Sequence, residues 1–379
     1  MDYKLNEQYE GMRQMFRKFA EAEVQPMAIT IDETHEFPVE NVRKMQKLGY
    51  FGIPYAEEFG GAGGDTLTYV LAVEELSRVC ASTGVIVSAH TSLCCGAIDK
   101  FGNEDQKKKY LTALASGKAL GAFGLTEPDA GTDASGQRTT AVADGEEYVI
   151  NGSKIFITNA GYADVFVVFA MTDKSQGNHG ISAFILEKGT PGFQIGTVEK
   201  KMGIHASSTC ELVFQNVRVP KENLLGKEGE GFKIAMATLD GGRIGIAAQA
   251  LGIAQGALDR AVKFVKERVQ FGRPIAKFQN TQFKLADMAT EVEAARALVY
   301  KAALKKDSGE RYSVEAAMAK LKASRTAMDV TTKAVQLHGG YGYIQEYEVE
   351  RMMRDAKITE IYEGTSEVME MVISGQLLR

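Results

Sequence analysis

The sequence predicts an α+β chain of three domains. These are a helical N-terminal domain, an antiparallel, barrel-like β-sheet middle domain and a C-terminal four-helix bundle. Three observations carry this expectation. The 379 residues exceed one ordinary hydrophobic core. The apolar period is helical to about residue 120, shifts to short strand-length runs, and returns to helical from about residue 226. No helical stretch separates the strand-like runs, so antiparallel neighbours are expected rather than crossover units. The expected domains are therefore 1–120, 121–225 and 226–379.

In the first domain, Met12, Met15, Phe16 and Phe19 share one helical face, and Met45, Leu48 and Phe51 suggest a second. The glycine-rich segment from Phe59 to Asp65 precedes a helix from Leu67 to Val79. It lacks the Walker pattern and no strand leads into it, so a chain turn is expected rather than a phosphate cradle. In the second domain, Glu147 to Ile150 leads into Asn151-Gly152, a hairpin signal, and then Lys154 to Ile157. Val165–Ala170, Ile181–Leu186, Glu211–Phe214 and Val217–Pro220 add strands. In the third, Gly241-Gly242-Arg243 opens a long helical segment to Val269, and Leu285, Met288, Val292, Ala295 and Val299 line another. Two further helical stretches are expected around 314–337 and 345–362. No Rossmann glycine fingerprint follows any strand, which counts against nicotinamide binding.

Composition narrows the function classes. Hydrophobic residues make up 45% and charged residues 25%, an ordinary globular balance. The net charge of -5 and the lack of a basic cluster count against nucleic acid, and Lys107 to Lys109 read as a solvated helix face. No apolar run approaches the length of a membrane span, so no membrane partner is expected. The first residues lack a signal core and a transit pattern, so a cytoplasmic location, or a mature form without its leader, is expected. The four cysteines, Cys80, Cys94, Cys95 and Cys210, build no disulfide framework. His90 with Cys94 and Cys95 lacks a second ligand pair at zinc spacing, so no metal is expected.

Several segments carry chemistry-bearing residues. Glu363 stands between Tyr362 and Gly364 in an apolar and aromatic run, and a carboxylate in an apolar slot has a raised pKa and a reason to move protons. The same Glu-Gly pair also fits a surface residue before a helix-capping glycine. Ala122 to Asp133 is dense in small residues and hydroxyls, and suits either a pyrophosphate or ring edge or an ordinary turn. Phe156-Ile157-Thr158 offers an aromatic face beside a hydroxyl, or a strand alternating into a core. Arg268 with Phe271-Gly272 and Gln279 suits phosphate or adenine, or a helix-terminal arginine. Gln336 to Gly342 ends a helix with unusual glycine density, or with a simple cap and turn.

Taken in order, these segments resemble the acyl-CoA dehydrogenase family of flavoproteins over essentially the whole chain. The motifs are Leu125–Asp133, Asn151–Asn159, Arg268–Ile275, Gln336–Tyr343 and Ile361–Glu367. Leu239 to Ile244 fits the short-chain, butyryl-CoA branch in particular. The resemblance implies non-covalent FAD and a homotetramer built as a dimer of dimers. It implies that Phe123, Leu125, Thr126, Gly131 and Thr132 lie beside the flavin or its phosphates. Phe156, Ile157 and Thr158 would cover the ring. Arg268, Phe271, Gln279, Gln336, Leu337, His338, Gly339 and Gly340 would reach the FAD of a neighbouring subunit. Thr365, Ser366 and Glu367 would hold the FAD of their own subunit. Asp240, Gly241, Gly242, Arg243, Thr132 and Gly364 would line the acyl-CoA.

The implied reaction is α,β-dehydrogenation of a short-chain acyl-CoA, butyryl-CoA to crotonyl-CoA. Glu363 would take the α-proton, the β-hydrogen would leave as hydride to flavin N5, and electrons would pass to an electron-transferring flavoprotein. General-base catalysis gives roughly 10²–10⁴-fold, so the enolate oxygen also needs donors, implied to be the Glu363 N–H and a ribityl hydroxyl. Some relatives carry their base where Gly242 stands, and the bare glycine strengthens Glu363. The acyl end is expected against the helix near Ser88 to Cys95. The same residues would serve an enoyl-CoA reductase running in reverse, and a non-catalytic acyl-CoA- or FAD-binding subunit is the reading from another class.

Overall fold

A computed structural model of the protein describes residues 5–378. Its first helix, α1 (Glu7–Phe19), starts where the Asn6 side chain accepts the Tyr9 N–H. It carries Glu7 and Glu10 at its start and Arg17 and Lys18 at its end, the polarity the helix dipole favours. Then come α2 (Ala28–Thr34), α3 (Val39–Lys47) and α4 (Thr66–Val79). The glycine-rich segment before α4 is a turn, and Asp65 caps the helix by accepting the Thr68 N–H. Two expected core positions are corrected. Met15 is 55% exposed on α1, and Leu48 is 63% exposed because α3 ends at Lys47 and Gly49 (φ +78) turns the chain.

From α5 (Ala81–Ser88) the chain stays helical through wider turns at Ala89–Cys95 into α6 (Gly96–Phe101). This 21-residue run is long and apolar enough to cross a membrane, against the expectation that no such run exists. Ser82, Thr83, Ser88, His90, Thr91 and Ser92 interrupt its apolar string in sequence, which hides it. The protein itself covers 94% of its apolar window, so the run is a core helix here. Two short helices, α7 (Glu104–Gln106) and α8 (Thr112–Ala115), lead to the sheet.

The strands are β1 (Gly121–Gly124), β2 (Thr140–Asp144), β3 (Glu147–Thr158), β4 (Val165–Met171), β5 (Ile181–Glu187), β6 (Phe193–Val198), β7 (Thr209–Pro220) and β8 (Leu224–Leu225). Their order is β6-β7-β3-β2-β4-β5-β8, with β1 beside β4. All pairings are antiparallel except β1–β4 and one β2–β4 bridge, so the sheet is mixed rather than purely antiparallel. The apolar run of β4 is buried on both faces. Val165, Val167 and Phe169 meet the helical side, while Phe166, Val168 and Ala170 join a core that the sheet encloses with Ile150, Phe184, Leu212 and Phe214. Asn151-Gly152 is not a hairpin turn. There β3 runs on through a bulge opposite β7, with Asn151 Oδ1 accepting the Asn216 N–H at 2.8 Å, and the β2–β3 turn sits at Gly145 (φ +61).

The C-terminal part holds α9 (Gly231–Glu267), the two-residue strands β9 (Val269–Gln270) and β10 (Arg273–Pro274), α10 (Gln279–Asp307), α11 (Ser313–His338), α12 (Val349–Ile358) and α13 (Ser366–Leu377). Helix α9 begins well before the Gly241-Gly242 pair expected to open it. The last expected stretch stops at Ile358, and α13 is a helix the periodicity did not reveal.

Helix α9 lies backbone-close to α4 and α5 through glycines. A Cβ on Gly245 would sit 2.4 Å from both Ser88 Oγ and Tyr69 Oη, one on Gly252 2.3 Å from the Glu74 carbonyl oxygen, and one on Gly256 2.1 Å from that of Arg78. Buried Glu74 of α4 ties the N-terminal helices to α10, accepting from Arg296 and from Tyr300 (2.8 Å), while its neighbour Glu75 accepts from Arg13 (3.0 Å) and Arg17 (2.8 Å) of α1. Helices α1 to α5 and α9 to α12 therefore share one core. Since this backbone contact cannot give way cheaply, Gly252→Ala is expected to lower stability by about 1–3 kcal/mol, read as a fall in the urea midpoint at unchanged m-value.

Candidate active site

Glu363 does not end a helix. The chain leaves α12 at Ile358 and turns through residues 359–364 before α13, with Glu363 at φ +54 and Gly364 at φ +100. A left-handed glutamate persists only where its surroundings over-determine it. Tyr362 Oη donates to Gln249 Oε1 of α9, whose Nε2 donates to the Ala81 carbonyl at 3.1 Å. Lys320 of α11 donates to the carbonyls of Thr359 (3.0 Å) and Gly364 (2.6 Å). The Ser366 N–H closes the turn on the Glu360 carbonyl at 3.0 Å.

The carboxylate lies against bare helix backbone. Glu363 Oε2 is buried without a hydrogen-bond partner, and a Cβ on Gly242 would sit 2.1 Å from it and 2.7 Å from Leu93 Cδ2. Burial pushes the Glu363 carboxyl up to about 7, against the opposing pull of Lys320 and Arg243. The Glu363 N–H donates to no backbone carbonyl among the described residues.

The structure gathers part of the expected acyl-CoA set around this carboxylate. Gly241 and Gly242 are buried on α9 next to Arg243, which donates to Asp240 Oδ1 at 2.7 Å and keeps a buried, unpartnered Nε. Asp240 also accepts from Ser313 Oγ at 2.5 Å. A Cβ on Gly241 would meet only Lys306 Nζ (3.6 Å), Tyr312 Oη (3.7 Å) and the Ser92 carbonyl (4.0 Å), so this stretch of α9 is loosely covered. Gly364 directly follows Glu363. Thr132 is exposed on the loop after β1.

Among the expected flavin-facing residues, Phe123 and Leu125 are buried, Phe123 packing on Phe169 with ring centres 5.0 Å apart. Thr126 accepts the Ile155 N–H at 2.9 Å, which sets its loop beside Phe156. Phe156 is 58% exposed and held at φ +60, an apolar ring facing outward. Thr158 is half-buried, and Gly131 is exposed. The Ile157 side chain joins the sheet core, the residue pairs with Cys210 on β7, and its carbonyl accepts the Ala160 N–H at 3.4 Å. Thr365 caps α13 by accepting the Val368 N–H, Ser366 Oγ is buried and unpartnered, and Glu367 is exposed in the first turn.

The remaining candidates sit elsewhere. Arg268 and Gln336 to Gly340 line a cleft of about 510 Å³ with Phe264 and Tyr341. His338 stacks on Phe264 at 4.2 Å, and Arg268 lies over the Tyr341 ring at 5.2 Å. Phe271, 93% exposed at the β9–β10 tip, and Gln279, exposed at the start of α10, do not line it. At 1.5 Å per residue along α9, Phe264 lies about 33 Å from Gly242. The Glu363 turn and this cleft are therefore well separated along α9.

The hub that fixes the β1 loop was not anticipated. Lys154, fully buried, donates to the Leu125 carbonyl (3.1 Å), Glu127 Oε1 (2.7 Å) and Gln137 Oε1 (3.0 Å), and Glu127 also accepts the N–H groups of Arg138 (2.5 Å) and Thr139 (3.1 Å). The signal was a lysine at an inward position of β3.

Three family models match the chain in order: the acyl-CoA dehydrogenase N-terminal domain over residues 6–118, the middle domain over 122–217 and the C-terminal domain over 229–378. A short-chain specific acyl-CoA dehydrogenase of Clostridium acetobutylicum is 64% identical over the full length of both chains. Among solved structures, butyryl-CoA dehydrogenase of Megasphaera elsdenii is 57% identical with a TM-score of 0.98, covering both chains completely. A chain from a structure described as the electron transferring flavoprotein of Acidaminococcus fermentans is 61% identical with a TM-score of 0.99, again over both full lengths. Solved chains of this fold include complexes with FAD and with FADH2.

Burial makes Glu363 a pH-dependent load on the fold. Its folded pKa, about 7, lies above the unfolded value of about 4.3, so the neutral form is favoured in the native state. Its stabilising share is complete below about pH 4.3, declines as pH rises, and is gone above about pH 7. Glu363→Gln should therefore melt higher than the parent at pH 8 and no higher at pH 4, a difference checked by calorimetry at the two pH values.

Proposed function

The chain belongs to the acyl-CoA dehydrogenase family, and on that premise we propose that it dehydrogenates a short-chain acyl-CoA, butyryl-CoA to crotonyl-CoA, with Glu363 as the α-proton base. The observation that carries this reading is the buried, unpartnered Glu363 oxygen lying against the side-chain-free surface of Gly242. A carboxylate kept from water and lifted to about 7 is poised to take a proton at neutral pH.

A thioester α-proton is a very weak acid, so the charge that develops on the carbonyl oxygen must be met. The Glu363 N–H, uncommitted to any backbone carbonyl, is the donor this chain offers. One such donor is typically worth about 2.7–4 kcal/mol. Leu93 and Tyr362 keep water from the carboxylate, which strengthens both interactions. Arg243, with its free Nε, and Asp240 flank the acyl-CoA on α9.

The residues present fit FAD. Phe156 offers an exposed ring for the isoalloxazine face, Thr126 and Thr158 offer hydroxyls near its edge, and Ser366 Oγ is an unsatisfied donor at the start of α13. FAD held by these residues would supply the acceptor for the β-hydrogen and a route for its electrons to a second protein. That acceptor is proposed to be an electron-transferring flavoprotein, in line with the structure in which a near-identical fold was found. The Arg268 cleft, some 33 Å along α9 from Gly242, serves the FAD of a neighbouring copy in a homotetramer.

Two tests follow. Anaerobic addition of butyryl-CoA to the purified flavoprotein should bleach the visible flavin spectrum. Glu363→Gln should keep FAD and ligand binding yet lose nearly all bleaching, and substantial residual turnover would refute the base assignment. Arg268→Ala should purify with a lower flavin-to-protein absorbance ratio than the parent. An unchanged ratio and assembly size would remove the neighbouring-subunit role.

A further inference from the structure

Lys320 is 1% exposed, yet no carboxylate lies within ion-pair distance of its ammonium among the described residues. A buried cation without a counter-ion is costly and persists only where fixed dipoles compensate it. Here the dipoles are two carbonyls, Thr359 at 3.0 Å and Gly364 at 2.6 Å, which mark the beginning and the end of the turn bearing Glu363.

We propose that Lys320 is a positioning residue: its ammonium ties the two ends of the Glu363 turn together and supplies the positive field beside the carboxylate. This rests on the reading of Glu363 as the base. The clamp explains how a left-handed Glu363 and a left-handed Gly364 are held in succession, since the backbone bonds of the turn come from Thr359 to Tyr362 and from Ser366, and among the described residues neither the Glu363 nor the Gly364 N–H donates to a backbone carbonyl. The charged and titratable groups around the carboxylate are Lys320 from α11, Arg243 from α9, Tyr69 from α4 and Tyr362 from the turn itself. Burial holds the Lys320 ammonium down to about 8, with Glu363 opposing, Arg243 adding to the fall and Glu360 opposing it, so Lys320 is charged through the acid limb of Glu363 and loses its proton only at alkaline pH. Of the two cations that oppose the burial of Glu363, Lys320 has the larger effect. Arg243 is already engaged by Asp240 at 2.7 Å, so Lys320 is the one without a carboxylate at contact.

The test uses the holoenzyme and the rate of anaerobic flavin bleaching by butyryl-CoA across pH 5.5 to 9. Lys320→Gln keeps a donor for one carbonyl and removes the charge; Lys320→Arg keeps the charge. The expected result is an acid limb moved up by about one pH unit in Lys320→Gln, so that its rate falls about tenfold more at pH 6 than at pH 9. Lys320→Arg should recover part of that shift. A uniform loss of rate in both variants with an unmoved acid limb would reduce Lys320 to ordinary structure. Should Lys320→Gln purify without FAD, the pH midpoint of the melting difference between it and Lys320→Gln/Glu363→Gln reads the same carboxylate, and a midpoint equal to the parent's overturns the proposal. The two readings separate cleanly. A lively Glu363→Gln sinks the base assignment, whereas an inert Glu363→Gln beside an unmoved limb in Lys320→Gln sinks Lys320 alone.

Discussion

The site depends on one constraint: a carboxylate must be kept out of water next to a helix that has no side chain at the point of contact. Any Cβ at Gly242 would collide with Glu363 Oε2. The rest of the architecture can be traced from there. Helix α9 must run buried past the turn, and its glycines at 245, 252 and 256 let it settle against α4 and α5. The turn must be pinned from outside, which Lys320 does from α11 and Gln249 from α9. The N-terminal and C-terminal helices must meet here, because Leu93 beneath the carboxylate belongs to the 81–101 helical run and Gly242 beside it to α9.

The middle domain contributes order rather than charge to this centre. Its exposed Phe156 has value only if the neighbouring loop does not wander. Lys154 and Glu127 see to that by joining the loop carbonyl at Leu125, the amides of Arg138 and Thr139, and strand β3 in one buried network. Burial holds the Lys154 ammonium down to about 8 even with Glu127 beside it, while, against its own burial, Lys154 and the Arg138 amide hold the Glu127 carboxyl below its usual range.

How legible this was in sequence varies with the range of the interaction. The three-layer order of helix, sheet and helix follows from local periodicity, and the Glu363 motif follows from a few adjacent residues. What escaped depends on partners far away in the chain. Asn151-Gly152 has the chemistry of a turn, but pairing with Asn216 on β7 keeps the strand going. Gly241 and Gly242 look like a helix start, but tertiary packing needs them inside one. The 81–101 helix hides behind its serines and threonines, which bond back into its own turns and neighbouring elements. Glu363 looks like the end of a helix because nothing local reveals that a lysine over forty residues earlier bends the chain into a turn.

The length of α9 has a further meaning for heredity. On the proposed assembly, each centre is finished by the far end of another chain's helix, so a lesion near Arg268 is felt in the neighbour's centre and one at Glu363 in its own. Two differently damaged chains mixed in one tetramer would then regenerate some whole centres from opposite halves. Defects that are null in pure form would complement each other, and a single faulty copy would spoil a centre it does not own.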